Sequence, residues 1–591
     1  MLTPPQIPSL GRIISVRGSQ ARVGILPSPN MTPAAIRATV GQFFGIRTVQ
    51  TTIVAIITEV TRENIDTTPD YIAVASVDLL GEISPGAAAR FQRGVTVYPT
   101  IDDAVDILTH EELRTVYAPS GTDQINVGAL QQDPSIIAYI DVEEMLNKHF
   151  AVLGSTGVGK SSSVSLLLNE ILRVRPRLRI FLLDVHNEYG RCFGEYAQVL
   201  NPRNLKLPFW LFNFEEIVDV LFGGRPGVPE EVEVLSEVIP IAKATYTQYQ
   251  NSDRHHGLKR VEARSIGFTA DTPVPYRLVD LISLIDERMG KLENRSSRIV
   301  YHKLISRIET VKNDPRYAFM FENANVGGDT MAEVISHLFR LPAHGKPMTI
   351  MQLAGFPADV VDSVVSVLCR MAFDFGLWSD GVSPLLFVCE EAHRYASADR
   401  SIGFGPTRKA VSRIAKEGRK YGVYLGLVTQ RPAELDATIL SQCNTLFAMR
   451  LANDRDQALL RSAVSDAAAN LLSFVPSLGT REVLAFGEGV ALPTRLRFKE
   501  VPAHQLPRSE ATIATTPTAY TGHDINFVSS VVERWRGATG RRDAPAEPLV
   551  SDRFADKLGD HPLQRAVEAP LLQPSLGLDP DRFSLLKKPL R

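Results

Sequence analysis

The sequence predicts an α/β protein built on a parallel-dominated sheet around a phosphate-binding loop. A small β-barrel precedes the sheet and a helical insertion interrupts it. Three observations carry this. First, an apolar run, Phe150–Leu153, leads into GSTGVGKS at Gly154–Ser161 and then into an apolar-periodic helix, Ser163–Leu172. Strand, Gly-rich loop and helix in that order is the context a P-loop needs. Second, another apolar run, Leu178–Asp184, follows that helix and ends in an acid. Strand–helix–strand is a βαβ unit, so a parallel sheet with helices on both faces follows. Third, short β-branched runs split by Gly, Pro and Asp occupy the stretch from about Leu10 to Ile107, a spacing that suggests a small barrel.

Composition bounds the rest. The chain has 591 residues, enough for several domains, with 44% hydrophobic and 22% charged residues, the profile of an ordinary globular protein. The net charge is −2, so any nucleic-acid surface must be a local patch rather than a global field. Cys192, Cys369, Cys389 and Cys443 lie far apart with no C-x-x-C pair. That argues against a zinc or disulfide framework and for reduced thiols in a cytoplasmic protein. The first residues, Met1–Gly11, lack the apolar core of a signal peptide. No run reaches the ~18 apolar residues of a membrane span.

In the barrel region the expected strands are two runs around the hairpin signal Gly18-Ser19, then Thr51–Val60, Ile72–Leu80 and Gly94–Tyr98. Ile125–Leu146 leads into the P-loop. From about Pro202 to Leu341 the periodicity is helical (Trp210–Leu221, Glu230–Tyr246, Val279–Leu292, Arg298–Val311) with no strand run between, which reads as an insertion. The sheet resumes at Met348–Leu353, followed by a helix over about Ala358–Phe375. Strands at Pro384–Cys389, Val423–Thr429 and Thr445–Arg450 come next, with a basic helix at Gly405–Lys420 and a closing hairpin at Glu482–Phe486 and Thr494–Phe498. Beyond Val501 the chain turns Pro-, Thr- and Arg-rich; Ile525–Arg536 reads as one helix, then linker and an extended arm. The expected division is a barrel at 1–115, a core at 116–201 and 342–502, the insertion at 202–341, and a C-terminal linker and arm at 503–591.

The chemistry concentrates at strand ends, where open α/β sheets bind ligands. Gly154, Ser155, Thr156, Gly157, Val158, Gly159, Lys160, Ser161 and Ser162 are the expected nucleotide-binding set. Backbone N–H groups and the helix N-terminus face phosphate oxygens; Lys160 reaches the β- and γ-phosphates and Ser161 holds Mg²⁺. Glu390 and Glu391 emerge from a buried strand: the first acid holds Mg²⁺ through its water shell and the second polarises the attacking water. Gln430, directly after a strand, is placed to sense the γ-phosphate. Asp184 is a second nucleotide-site acid; a metal cluster of Asp184, His186 and Glu188 is the weaker alternative. Arg408–Lys420 carries six basic residues and one acid. Arg413, Lys416 and Arg419 or Lys420 recur at helical spacing, so the stretch is either a solvated face or the source of an arginine finger for a neighbouring subunit, which spacing alone does not decide. Arg450, at another strand end, is the candidate acting within its own subunit.

Taken together, GSTGVGKS, Asp184–Tyr189 (DVHNEY), Glu390–Arg394 (EEAHR), Arg413–Lys420 (RIAKEGRK) and Thr429–Pro432 (TQRP) resemble the HerA family, in the HerA/FtsK branch of P-loop motor ATPases. The resemblance covers about Leu10 to Phe498. It implies a HAS-type barrel, a RecA-like core with a helical insertion, and a homohexameric ring. It also implies ATP- and Mg²⁺-dependent translocation on double-stranded DNA with a partner, either a NurA-like nuclease in end processing or a Sir2-like or other effector in antiphage defence. Carried over, Lys160 and Ser161 are the Walker A pair, Glu390 and Glu391 the Walker B pair, Gln430 the sensor, and Arg413 or Arg419 the trans-acting arginine. Lys148 stands where the family often has arginine. The alternative is a ring scaffold that uses ATP to assemble or gate an effector without processive movement; DNA stimulation of hydrolysis separates the two.

Overall fold

The structure, a computed structural model, describes residues 9–27, 38–62, 71–86, 89–119, 121–254, 267–291, 295–322, 324, 328–401, 403–464 and 470–508, with Ser529, Val532 and Glu533. All of these belong to the unit Met1–Arg541; the unit Arg542–Arg591, and most of the helix expected at Ile525–Arg536, lie outside the described residues.

The N-terminal strands are β1 (Gly11–Arg17), β2 (Gln20–Ile25), β3 (Phe43–Arg47), β4 (Thr52–Thr61), β5 (Ala73–Ile83), β6 (Phe91–Arg93) and β7 (Ala104–Ile107). They run antiparallel in the order β2-β1-β7-β3-β4-β5-β6, and a β2–β5 pairing closes the barrel with β6 as a flap. Gly18 takes the φ of +58° that the tight β1–β2 turn requires. Side-chain alternation along β4 explains the packing: Ile53, Ala55 and Ile57 fill the barrel interior, while Val54 and Ile56 belong to the main core of the molecule. The barrel is therefore apolar on both sides of this strand. Two differences from expectation stand out. The strand expected at Gly94–Tyr98 lies at Phe91–Arg93, because Gly94 turns at φ +84° and ends the pairing. β3 and β7, only 5 and 4 residues long, had no run of β-branched residues to mark them.

The second sheet holds β8 (Gln124–Leu130), β9 (Ile137–Asp141), β10 (His149–Leu153), β11 (Arg179–Asp184), β12 (Ala197–Leu200), β13 (Met348–Gln352), β14 (Leu385–Cys389), β15 (Val423–Thr429), β16 (Cys443–Ala448), β17 (Glu482–Phe486) and β18 (Thr494–Phe498). The helices in chain order are α1 (His110–Val116), α2 (Val142–Asn147), α3 (Lys160–Val174), α4 (Phe214–Phe222), α5 (Pro229–Arg254), α6 (Leu278–Gly290), α7 (Arg295–Asn313), α8 (Ala318–Phe321), α9 (Met331–Phe339), α10 (Val361–Trp378), α11 (Gly405–Glu417), α12 (Ala437–Leu440) and α13 (Asp454–Ala463).

The strand order is β12-β13-β11-β14-β15-β10-β16-β17-β18-β8-β9. From β12 to β16 the neighbours are parallel; from β16 to β9 they are antiparallel. Every residue of β10, β13 and β14 is buried, as strands covered by helices on both faces must be. The residues before the P-loop, expected simply to lead into it, instead build the far edge of the sheet as β8 and β9. β12, only four residues long, was not anticipated. The helices α4–α9 lie between β12 and β13, which are hydrogen-bonded neighbours, so they enter and leave at one edge of the sheet. They are pinned by fully buried Glu216 on α4, whose carboxylate accepts from Ser366 Oγ at 2.7 Å and Arg370 Nη2 at 2.9 Å, both on α10.

Candidate active site

The parallel register aligns one set of strand ends. Leu153 of β10 pairs with Thr429 of β15 and Ala448 of β16, and Cys389 of β14 pairs with Leu183 of β11 and Leu427 of β15. Gly154, Asp184, Glu390, Gln430 and Met449 thus leave the sheet at the same edge.

The loop after β10 is held on both sides by neighbouring strand ends. Gly154 N–H donates to Thr429 O at 3.2 Å, and the Ser155 N–H and Oγ both donate to Arg450 O at 3.0 Å. Arg450 therefore supports the loop through its carbonyl. A Cβ on Gly154 would sit 2.8 Å from Met449 Cβ, so only glycine fits there. Gly157 and Gly159 adopt φ of +80° and +96°, the left-handed backbone glycine takes without strain. Arg481, itself at φ +65°, donates its N–H to Val158 O at 3.0 Å and braces the loop from outside. Lys160 then opens α3; its side chain is 8% exposed and its Nζ lies 3.7 Å from Glu391 Oε1. Burial lowers the Lys160 pKa, opposed by Glu391 and Glu390.

Glu390 is buried at the end of β14. Tyr189 donates its hydroxyl to Glu390 Oε1 at 3.1 Å. Glu390 Oε2 has no partner. Burial, then the charges of Asp184 and Glu188, push the Glu390 carboxyl up to about 8. A buried carboxylate with an orphan oxygen beside a serine hydroxyl is the donor set a hard divalent cation uses, so the residues fit Mg²⁺. Asp184, expected as a second nucleotide-site acid, lies buried at this edge with its two oxygens accepting the N–H groups of Glu188 and Tyr189, each at 3.0 Å. It shapes the turn that presents Tyr189.

Glu391 stands at φ +49°, ψ +45°, left-handed for a non-glycine, a backbone that costs about 1–2 kcal/mol. Its Oε1 faces Lys160 and, at 3.8 Å, His186 Nε2; its Oε2 accepts no hydrogen bond and lies 3.3 Å from His393 Nδ1. Gln430 Oε1 accepts from Thr156 Oγ1 at 2.6 Å, which leaves the Gln430 amide N–H groups as donors. The structure therefore brings together the P-loop, Glu390, Glu391 and Gln430.

Arg413 and Arg419 stand apart. Arg413 Nη1 is 3.3 Å from Asp374 Oδ1 and its guanidinium stacks on the Phe373 ring at 4.0 Å. Arg419 is exposed in the turn that precedes β15, at the opposite end of that strand from Gln430. Lys148 pairs with Glu488 at 3.3 Å. Sequence reasoning gave no role to Tyr189, His393 or Thr429, although each lies in one of the motifs that carry the family resemblance, nor to Arg481 or His149. His149 is buried, with Nε2 2.9 Å from Ala415 O and Nδ1 accepting Leu425 N–H at 2.9 Å.

A P-loop braced by adjacent strand ends, an acid pair on the next buried strand but one, and a polar side chain on the strand between define a P-loop ATPase. Residues 125–372 match the family model described as "Helicase HerA, central domain". A probable helicase of Methanocaldococcus jannaschii is 26% identical over 455 residues, covering 72% of this chain and 79% of that protein. A DNA double-strand break repair helicase HerA of Pyrococcus furiosus is 25% identical over 501 residues, covering 78% and 82%. One from Saccharolobus solfataricus is 27% identical over 398 residues, covering 66% and 70%. The chain is thus a P-loop ATPase similar to HerA helicases over most of its length, with the family's central domain matched at residues 125–372. Among the described residues no helix is long and apolar enough to cross a membrane.

Proposed function

We propose that the protein is an ATP-driven motor on double-stranded DNA that works as a homohexameric ring with a partner nuclease or defence effector. The observation that supports this most directly is the convergence of Lys160, Ser161, Glu390, Glu391 and Gln430 at one strand edge, in a chain similar to relatives named as DNA repair helicases. ATP lays its phosphates on the N–H groups of Gly154–Ser162, and Lys160 turns from Glu391 to the β- and γ-phosphates. Ser161 and, through water, Glu390 would hold Mg²⁺, which when bound neutralises phosphate charge. The open Oε2 of Glu391 accepts a proton from the attacking water. Gln430 donates its amide N–H to the γ-phosphate. Arg419, exposed at the far end of β15 from Gln430, or Arg413 once freed from Asp374, supplies positive charge to the neighbouring subunit's γ-phosphate. Contacts to DNA phosphates inside such a ring are sequence-independent and salt-sensitive.

The test is phosphate release with and without duplex DNA. Duplex DNA raises turnover several-fold, added salt erases the stimulation, and Lys160→Ala abolishes hydrolysis in both conditions. A flat DNA response rules out the motor; full hydrolysis by the Lys160→Ala protein rules out the site.

A further inference from the structure

We infer that His393 is a positioning residue for Glu391, fixing the carboxylate and tying it through Thr429 to the turn that carries Gln430. This rests on the reading of Glu391 as the base toward water and adds what keeps that base in place. The left-handed backbone at Glu391 leaves its side chain dependent on neighbours. Three reach it: Lys160, His186 and His393. Lys160 is drawn away by the phosphates when ATP binds. The His186 side chain is 51% exposed and 3.8 Å distant. His393 is the fixed one: its side chain is 11% exposed, with Nδ1 3.3 Å from Glu391 Oε2 and 3.0 Å from Thr429 Oγ1.

Burial favours the neutral ring by lowering the His393 pKa. A neutral imidazole protonated at Nδ1 donates to Thr429 Oγ1 and keeps that N–H 3.3 Å from Glu391 Oε2, an electrostatic contact that leaves the oxygen free to accept from water. Thr429 Oγ1 also accepts Arg431 N–H at 3.0 Å, locking the turn on either side of Gln430, and Gln430 in turn accepts from Thr156 of the P-loop at 2.6 Å. Polar contacts run from Lys160 through Glu391 and His393 to Thr429, and the next residue in the chain, Gln430, accepts from Thr156 of the P-loop. A change at the P-loop is felt at the base by way of the sensor turn.

The experiment is steady-state hydrolysis by the full chain with His393→Ala, His393→Asn, Thr429→Val, Glu391→Gln and the Glu391→Gln/His393→Ala double variant. Nucleotide affinity is read with a fluorescent ATP analogue. His393→Ala lowers kcat on the order of ten- to a hundredfold with KM and analogue affinity within about twofold. His393→Asn, whose amide N–H replaces the ring donor, recovers most of it. The double variant is no slower than Glu391→Gln alone, because residues acting as a unit are non-additive. The inference is overturned if Glu391→Gln is inactive while His393→Ala turns over like the wild type. It is overturned equally if asparagine rescues nothing, or if the double variant loses a further factor equal to the single histidine loss. A Glu391→Gln protein with full turnover would remove the base assignment itself, a separate failure.

Discussion

The Gln430 amide shows how one side chain's partner decides what it can do next. With Oε1 committed to Thr156, the free end is a donor, which suits an anionic phosphate and not the proton of a water. Thr156→Val keeps the volume and removes the hydroxyl. The expected result is a fall in kcat of about tenfold, the scale of a lost catalytic orientation, with analogue affinity unchanged. Unchanged turnover would show that Gln430 needs no anchor. The P-loop, the acid pair and Gln430 were legible in the sequence because each is a local signal: a glycine spacing, or a polar residue immediately after an apolar run. Tyr189, Thr429 and Arg481 were not, because each acts through a contact that only the sheet creates. Asp184 was visible as a strand-end acid, but its use in shaping a turn depends on where two backbone N–H groups point.

At the scale of elements, His149 joins three of them. It starts β10, contacts the C-terminal part of α11 through Ala415 and accepts from β15 through Leu425. Burial pulls its pKa down to about 4, so the ring is neutral in the folded protein, while the unfolded chain protonates near 6.5. The unfolded state therefore binds more protons between these values. The stabilisation is complete above pH 6.5 and is lost as pH falls toward 4. His149→Leu lacks that titration, and its melting temperature falls less than the wild type's between pH 7.5 and 5. At pH 7.5 it already melts lower, because burying an unpaired carbonyl and N–H costs about 1–3 kcal/mol each. Parallel melting curves across pH would contradict this. None of it was readable from the sequence, where His149 was merely the residue before an apolar run. The central strands were legible for the opposite reason: burial on both faces leaves an unbroken apolar stretch. β3, β7 and β12 were too short to leave one, and β8 and β9 alternate buried with part-buried or exposed positions, so neither shows the unbroken apolar run of a central strand.

For the whole molecule, the site and Arg419 lie at opposite ends of one strand, β15. If Arg419 completes a neighbour's site, as proposed, hydrolysis is expected to depend on a second copy. Arg419→Ala and Lys160→Ala proteins, each nearly inactive alone, recover activity when mixed before assembly. The first supplies an intact P-loop and the second an intact arginine to the same composite site. Mixtures as inactive as their components would place the arginine outside the neighbour's site. The far end of the sheet has a different consequence. β8 opens the ATPase sheet in sequence and β18 closes it, and the two are hydrogen-bonded neighbours, with Leu496 opposite Leu130 and Phe498 opposite Gly128. The sheet is thus a ring in connectivity, cut at a seam. Joining Lys499 to Asp123 by a short linker, with residues 1–122 and those past Lys499 left off, and reopening the chain at the exposed turn after Trp378 would give a permuted ATPase core that keeps every strand pairing of that sheet, with its new ends at the turn between α10 and β14, at the opposite end of β14 from the nucleotide.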